Sequence, residues 1–321
     1  MLWPATAFLT GDALAFHANL DRAVANCRRH AGDWELGVTL MLRTHVAIDI
    51  AGGLPTVDED LAELREIARR VGDRWTRAQV ASAAGEIGLS RGRYDWARAE
   101  YEECLRLARE VGAHIEAPFA IARIAETAYC TGDVDGAERL IAEAEAEADR
   151  YGVVDVRAFN RLLSAAIGIH RGDFDRARAA YDDARERAAE LLVPPQMTAG
   201  LDNLEAVLAA HKDGPEAGLT LIGPALAAAV EAHCAERVLA GLAETAARLL
   251  ADADRPAEAV RVLAAATAWR AGHPRPAPEQ AAVDGLPARA RALLGPAGYA
   301  REEAAGATLG PADLAAALTR S

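Results

Sequence analysis

Glu86 and Glu126 stand forty residues apart, and Arg123 precedes the second by three residues. Paired carboxylates are suited to general acid–base work, provided an enclosed site holds them. The ordinary alternative is helix-to-helix hydrogen bonding, with Arg123 and Glu126 at the i, i+3 spacing of a helical ion pair. Other chemistry is scarcer. His233 and Cys234 are adjacent, a spacing that on a helix turns two side chains about 100° apart and disfavours a nucleophile–base pair. Cys27, Cys104, Cys130 and Cys234 form no C-x-x-C pair, and no histidine lies at zinc-finger spacing. They read as reduced thiols behaving as small hydrophobes. No H-E-x-x-H, G-x-G-x-x-G or EF-hand pattern occurs. A Walker A loop needs a lysine to reach the phosphates, and Lys212, the only lysine, sits between His211 and Asp213. The expectation is a non-catalytic chain with no cofactor and no metal.

These residues lie on a repeating frame. Gly92, Gly132 and Gly172 are forty residues apart, as are Ala97, Ala137, Ala177 and Ala217, and as are Gly32, Gly72, Gly112 and Gly152. A fixed period of this size predicts a solenoid. The glycines of the first series end one helix, and Asp133 and Asp173 follow to cap the next. That next helix carries Tyr94, Ala97, Tyr101, Cys104, Ala108 and Val111, an apolar stripe at helical spacing. Two helices of roughly 17 residues, each about 25 Å long, fill one period. The small residue at 97, 137, 177 and 217 is expected where the two helices cross. One hairpin cannot bury its stripe alone, so the pairs must stack.

Composition agrees. Hydrophobic residues make up 51% but aromatics only 5%, so alanine and leucine dominate, as closely packed helices require. No apolar run reaches the ~18 residues that span a bilayer, and Met1-Leu-Trp-Pro lacks the basic start of a secretory signal. A cytoplasmic protein without a membrane segment is expected. The net charge of −13 repels phosphate backbones and argues against direct nucleic-acid binding. Glu143 to Asp149 reads as a solvated helix face.

Along the chain, residues 3–11 read as the end of a truncated first helix closed by Gly11-Asp12, with Ala13 to His30 as its partner. The turn from Ala51 to Pro55 is irregular, and Val57 replaces the small crossing residue. From Gly72 to Gly152 the beat is strict. After Leu192, Pro194-Pro195 replaces a glycine turn, Pro215 suits a helix start, and Gly223-Pro224 predicts a kink inside a helix. A pair over about His233 to Ala251 and Pro256 to Trp269 follows. The stretch His273 to Pro278 is a stiff connector. Beyond it lie a helix to Leu294-Gly295, a short segment around Tyr299 to Glu303 and a last helix from Pro311 to Leu318. The array is expected over 1–272, about seven pairs with the first truncated, and 273–321 as a connector and helical C-terminal cap.

The phrases Arg-Gly-Arg-Tyr-Asp-Trp-Ala at 91–97, Thr-Gly-Asp-Val-Asp-Gly-Ala at 131–137 and Arg-Gly-Asp-Phe-Asp-Arg-Ala at 171–177 resemble tetratricopeptide repeats. Tyr101, Tyr181 and Gly85 stand where that family carries an aromatic or a glycine. The longer period, with Val71-Gly-Asp-Arg-Trp75, Arg261-Val-Leu-Ala-Ala-Ala266, Leu294-Gly295, Tyr299 and the final Ala-Leu helix, is similar to the C-terminal repeat region of SARP and LuxR-type bacterial transcriptional regulators. Glu303 or a neighbour stands where that tail pattern often has tryptophan. The resemblance implies an all-α, right-handed superhelical solenoid of antiparallel helix pairs with a helical cap. It also implies that first helices line a concave groove, with Gln79, Ser82, Glu86, Phe119, Glu126, Tyr129 and Phe159 toward it. Polar residues on otherwise apolar first helices add Arg43, His45, Asp49, Arg123, Asn160 and Arg161. The expected function is a sensor or protein-interaction domain of a regulator, taking a peptide, a protein segment or a small polar effector. The alternative is a scaffold, autoinhibitory arm or homo-oligomerisation module with no ligand of its own.

Overall fold

A computed structural model describes residues 13–30, 32–191 and 193–320. The expected helix end at residues 3–11 lies outside them. The described residues are 83% helical and contain no strand. In order, the helices are α1 (Ala13–His30), α2 (Asp33–Asp49), α3 (Val57–Val71), α4 (Arg74–Ser90), α5 (Tyr94–Glu110), α6 (Ala117–Cys130), α7 (Val134–Tyr151), α8 (Val156–Arg171) and α9 (Phe174–Ala189). Then come α10 (Pro195–Asp213), α11 (Pro215–Glu231), α12 (Glu236–Asp252), α13 (Pro256–Trp269), α14 (Ala277–Val283), α15 (Leu286–Gly306) and α16 (Pro311–Arg320). A short 3-10 turn, Leu54–Thr56, fills the irregular stretch before α3. Two compact units result. One runs to Asn160 and takes in Arg187–Pro194, and the other takes Arg161–Glu186 and the chain from Pro195 on.

In the first unit, α4 packs on α5, α5 on α6 and α6 on α7, while α2 also touches α4. Helix pairs lean on their sequence neighbours, so the fold is an all-α helical-repeat solenoid of tetratricopeptide type. The turns explain the period. Gly92, Gly132 and Gly172 have φ of 67°, 87° and 73°, the left-handed region where a Cβ would clash. The residue after each donates its N–H back across the turn, Arg93 to Gly88 O at 2.8 Å, Asp133 to Ala128 O at 2.9 Å and Asp173 to Gly168 O at 2.9 Å. This satisfies carbonyls that the helix end leaves open. Asp133 and Asp173 then cap α7 and α9 through the amides of Gly136 (2.9 Å) and Arg176 (3.2 Å). Asp73 does the same for α4, accepting from the amides of Trp75 (3.2 Å) and Thr76 (2.8 Å).

The small crossing residues Ala97, Ala137 and Ala177 are wholly enclosed. Opposite two of them sit Gly88 and Gly168, where an added Cβ would lie 2.9 Å from the Ala97 and Ala177 methyls. The series breaks at Ala217, which is half-buried. There Gly218 takes the crossing, its missing Cβ leaving room for Ala206 O at 2.6 Å and the Ala210 methyl at 2.8 Å. The cause is the turn. Gly214-Pro215 replaces Gly-Asp, α10 runs on to Asp213, and the closest approach slips by one residue.

Two further expectations change. His233 and Cys234 lie in the turn between α11 and α12, not on a helix, and His233 has φ of 54°. Helix α11 is continuous through Pro224, and Gly223 serves a contact: its Cα faces the backbone of Leu318, 3.0 Å from where a Cβ would stand.

In the second unit, α10 packs on α11 and α12 on α13. The tail helices join that core. α15 lies on α13 and α16 on α11, and Val283, Leu286, Tyr299, Leu314 and Leu318 are buried in one cluster with Leu239, Leu249 and Val260. The expected break at Leu294-Gly295 occurs within α15, where Gly295 has φ of 70° and ψ of 165° and Pro296 follows. The segment around Tyr299 continues as helix to Gly306, which meets the Arg261 carbonyl so closely that a Cβ would stand 2.0 Å from its oxygen.

Candidate functional site

Helices α4 and α6 are buried on most of their circumference. Beyond the first turn of α4, where Arg74 to Arg77 are exposed or half-buried, the exceptions are Gln79, Ser82, Glu86 and Leu89, half-buried and spaced 3, 4 and 3. On α6 and the residue before it they are Glu116, Phe119, Arg123, Glu126 and Tyr129. Those spacings put each set on one side of its helix. Phe159 on α8 is half-buried as well. The repeat places Gln79, Phe119 and Phe159 at equivalent positions, and likewise Glu86 and Glu126.

Arg123 is the centre of this face. Its Nε stands 2.9 Å from Glu86 Oε1, and its Nη1 donates to Glu126 Oε2 at 2.7 Å. Its guanidinium lies 4.9 Å from the centroid of the Phe159 ring, a cation–π arrangement. The side chain is 35% exposed, against 13% for Glu86 and 22% for Glu126. Burial opposes the charge on Arg123, but Glu86 and Glu126 outweigh it, and its pKa is raised. The two carboxylates predicted as a column therefore share one cation. Each carboxylate is held in a charge-assisted contact, the helix-to-helix pairing that the spacing offered as the alternative.

Two buried features support the cluster. Tyr101 of α5 is 1% exposed. Burial pushes its phenol pKa well up, and the charge of Glu86 pushes it further while Arg123 opposes. The hydroxyl makes no hydrogen bond of normal geometry. Gly85 is what admits the ring, since an added Cβ would stand 2.6 Å from Tyr101 Cε1. The second feature is Glu116, which precedes α6. It accepts from Trp75 Nε1 at 2.9 Å and from Gln79 Nε2 at 2.7 Å, both neutral donors. Beyond Gln79, a shallow apolar cleft lined by Trp34, Val38, Met41 and Trp75 lies between α2 and α4.

The other sequence candidates have different situations. Arg43 donates through Nε to Asp60 Oδ2 at 2.7 Å and through Nη1 to Asp21 Oδ1 at 3.0 Å. Asp60 is 3% exposed, so Arg43 ties α2 to α1 and α3. His45 points its Nδ1 at the Met41 carbonyl, 2.8 Å away. Asp49 is half-buried at the end of α2, away from the Arg123 cluster in sequence, and Asn160 is wholly enclosed. Arg161 belongs to the second unit, where its Nε stands 2.9 Å from Asp183 Oδ2.

Sequence reasoning missed Glu116 and Trp75. Both sit where the chain enters a first helix, at the N-terminal end of its stripe. The indole and the carboxylate lie 41 residues apart, one repeat plus one, which was the available signal.

Among the described residues no group of side chains is arranged to hold a metal, and no helix is long and apolar enough to cross a membrane. The Cys104 thiol, 5% exposed, is pushed up to about 12 by burial, which makes it unreactive at neutral pH.

No protein-family model matches the chain, and no curated protein matches it. Among solved structures, the crystal structure of a Rap protein complexed with competence and sporulation factor is similar in fold. The TM-score is 0.55 at 14% identity, over 96% of this chain and 94% of that one.

Proposed function

We infer that this chain is a non-catalytic recognition module that takes a peptide or protein segment on the face formed by α4, α6 and the start of α8, as the sensor portion of a transcriptional regulator. One observation carries this reading. A half-buried stripe with its own ion pairs, hydrogen bonds and aromatic rings runs along helices whose remaining surface, beyond the first turn of α4, is committed to packing. Fixed polar groups beside apolar rings are what an extended segment needs for both register and affinity. The solved neighbour of like fold, complexed with its factor, supports the reading. The tail from residue 273 serves as the cap of the array, because Leu314 and Leu318 cover apolar surface that the last pairs would otherwise leave open.

The test is a thermal-shift screen of the full chain against short peptides and polar effectors. A ligand at 100 times its Kd stabilises by about 2.7 kcal/mol. Phe119→Ala should abolish the shift without lowering the melting temperature of the free protein by more than a few degrees. Absence of any shift, or shifts indifferent to Phe119→Ala and Gln79→Ala, would overturn the reading.

One observation favours the scaffold alternative. Val111, Ile115, Tyr151 and Val154 are exposed at successive turns of the first unit, Ile115 at 63% and Val154 at 58%. A recurrent apolar row is a surface for association. Light scattering across a dilution series decides it: a dilution-resistant oligomer broken by Ile115→Glu supports the scaffold.

A further inference from the structure

The charges on the recognition face do not balance. The stripe over α4 and α6 holds three carboxylates, Glu86, Glu116 and Glu126, and one guanidinium. Arg123 is already shared between Glu86 and Glu126, so it has no lone anion to seek. Glu116 has only the Trp75 indole and the Gln79 amide, which orient its oxygens but leave its charge in place. The next first helix toward the N-terminus repeats the pattern, with Arg43 held by both Asp60 and Asp21. A ligand carboxylate or phosphate would therefore meet spent cations and repelling anions, whereas a ligand cation would meet uncompensated charge.

A second observation stands apart from the charge count. The Tyr101 hydroxyl is enclosed, makes no hydrogen bond of normal geometry and abuts the Glu86, Arg123 and Glu126 cluster. Its interaction with Glu86, Arg123 and Glu126 sets it against the point where the one guanidinium and the two carboxylates meet. The aromatic surroundings complete the site. Phe119 lies one helical turn after Glu116, the Trp75 indole meets Glu116, and the Phe159 ring meets Arg123. Ring faces and carboxylates together suit a guanidinium or ammonium on an apolar stem.

Resting on the reading that this face binds a segment, we propose that the segment is cationic: a basic side chain seats against Glu116 and the Glu86–Arg123–Glu126 cluster, with an apolar neighbour on Phe119.

The experiment uses the full chain and three pools of fluorescently labelled short peptides, equal in length and matched in apolar content. One pool carries a single arginine, one a glutamine at that place and one a glutamate. Anisotropy titration should show the arginine pool binding about 10-fold tighter than the glutamine pool, with the glutamate pool weakest. Raising the salt concentration should narrow the gap. Glu116→Gln should narrow the gap between the arginine and glutamine pools, with an unchanged circular-dichroism melt showing that the variant is folded; an undiminished gap overturns the proposal. Equal binding of the arginine and glutamine pools, or preference for glutamate, overturns the proposal and leaves segment binding standing. Binding of no pool overturns both.

Discussion

Replacing Arg123 by Met isolates what holds the recognition face together. Methionine keeps the length and the apolar stem of the side chain but removes the cation. Glu86 at 13% exposure and Glu126 at 22% would then face each other with no counter-charge, beside the enclosed Tyr101. Breaking a fully buried ion pair from one side costs about 3–5 kcal/mol, and exposed pairs are worth about 0.2–1 kcal/mol. Arg123 is 35% exposed, so water screens the loss and the expected cost is about 2 kcal/mol, between those limits. Most of it arises from the stranded carboxylates, so adding Glu86→Gln and Glu126→Gln to the Met variant should recover about half or more. The assay is urea denaturation at neutral pH, followed by tryptophan fluorescence, with Trp75 hydrogen-bonded next to the site. A triple variant as unstable as Arg123→Met alone, or a Met variant as stable as the parent, would refute the electrostatic account and leave Arg123 as an ordinary surface residue.

Three other outcomes follow from local geometry. The Thr76 hydroxyl and amide, with the Trp75 amide, hold the Asp73 carboxyl below its usual 3.8. A depressed pKa stabilises the fold above that range and loses the effect as pH falls through the lowered value. Asp73→Ala should therefore cost about 1 kcal/mol at neutral pH, with the difference from the parent shrinking as pH falls through the lowered pKa in acid-denaturation profiles. Ala137→Leu should destabilise by about 1–3 kcal/mol in thermal melts through overpacking, whereas the half-buried Ala217→Leu should cost less than about 1 kcal/mol. In the second unit, Glu244 takes two 2.7 Å bonds from Arg270 and one of 2.6 Å from Arg275. Glu244→Ala leaves Arg270, 7% exposed, with Glu279 as its remaining partner at 2.7 Å. It should cost less than a fully broken buried pair, which is about 3–5 kcal/mol, and speed hydrogen exchange across the connector from His273 to Pro278.

The beat was legible in the residues because its causes are local. A left-handed turn demands glycine at 92, 132 and 172 wherever the chain goes next. Asp133 and Asp173 reach amides only three residues away. A stripe such as Tyr101, Cys104 and Ala108 follows from helical geometry alone. The stacking of pairs, the enclosed alanines and the break at Gly295 came with that frame. So did the shared facing of the half-buried residues from Gln79 to Glu126, since repetition carries one position's facing to the next.

What needed the tertiary structure were contacts set by the distance between helices remote in sequence. That Glu86 and Glu126 grip one Arg123, rather than standing free as an acid–base pair, depends on how far α4 lies from α6. That Glu116 is held by Trp75 and Gln79 depends on where an irregular helix start falls against its neighbour. The slip from Ala217 to Gly218, the use of Gly223 to admit the last helix and the Glu244–Arg270–Arg275 cluster have the same origin. Turn geometry and periodicity are properties of a few consecutive residues, whereas an ion pair or a close backbone approach is decided by a few ångströms between segments about forty residues apart.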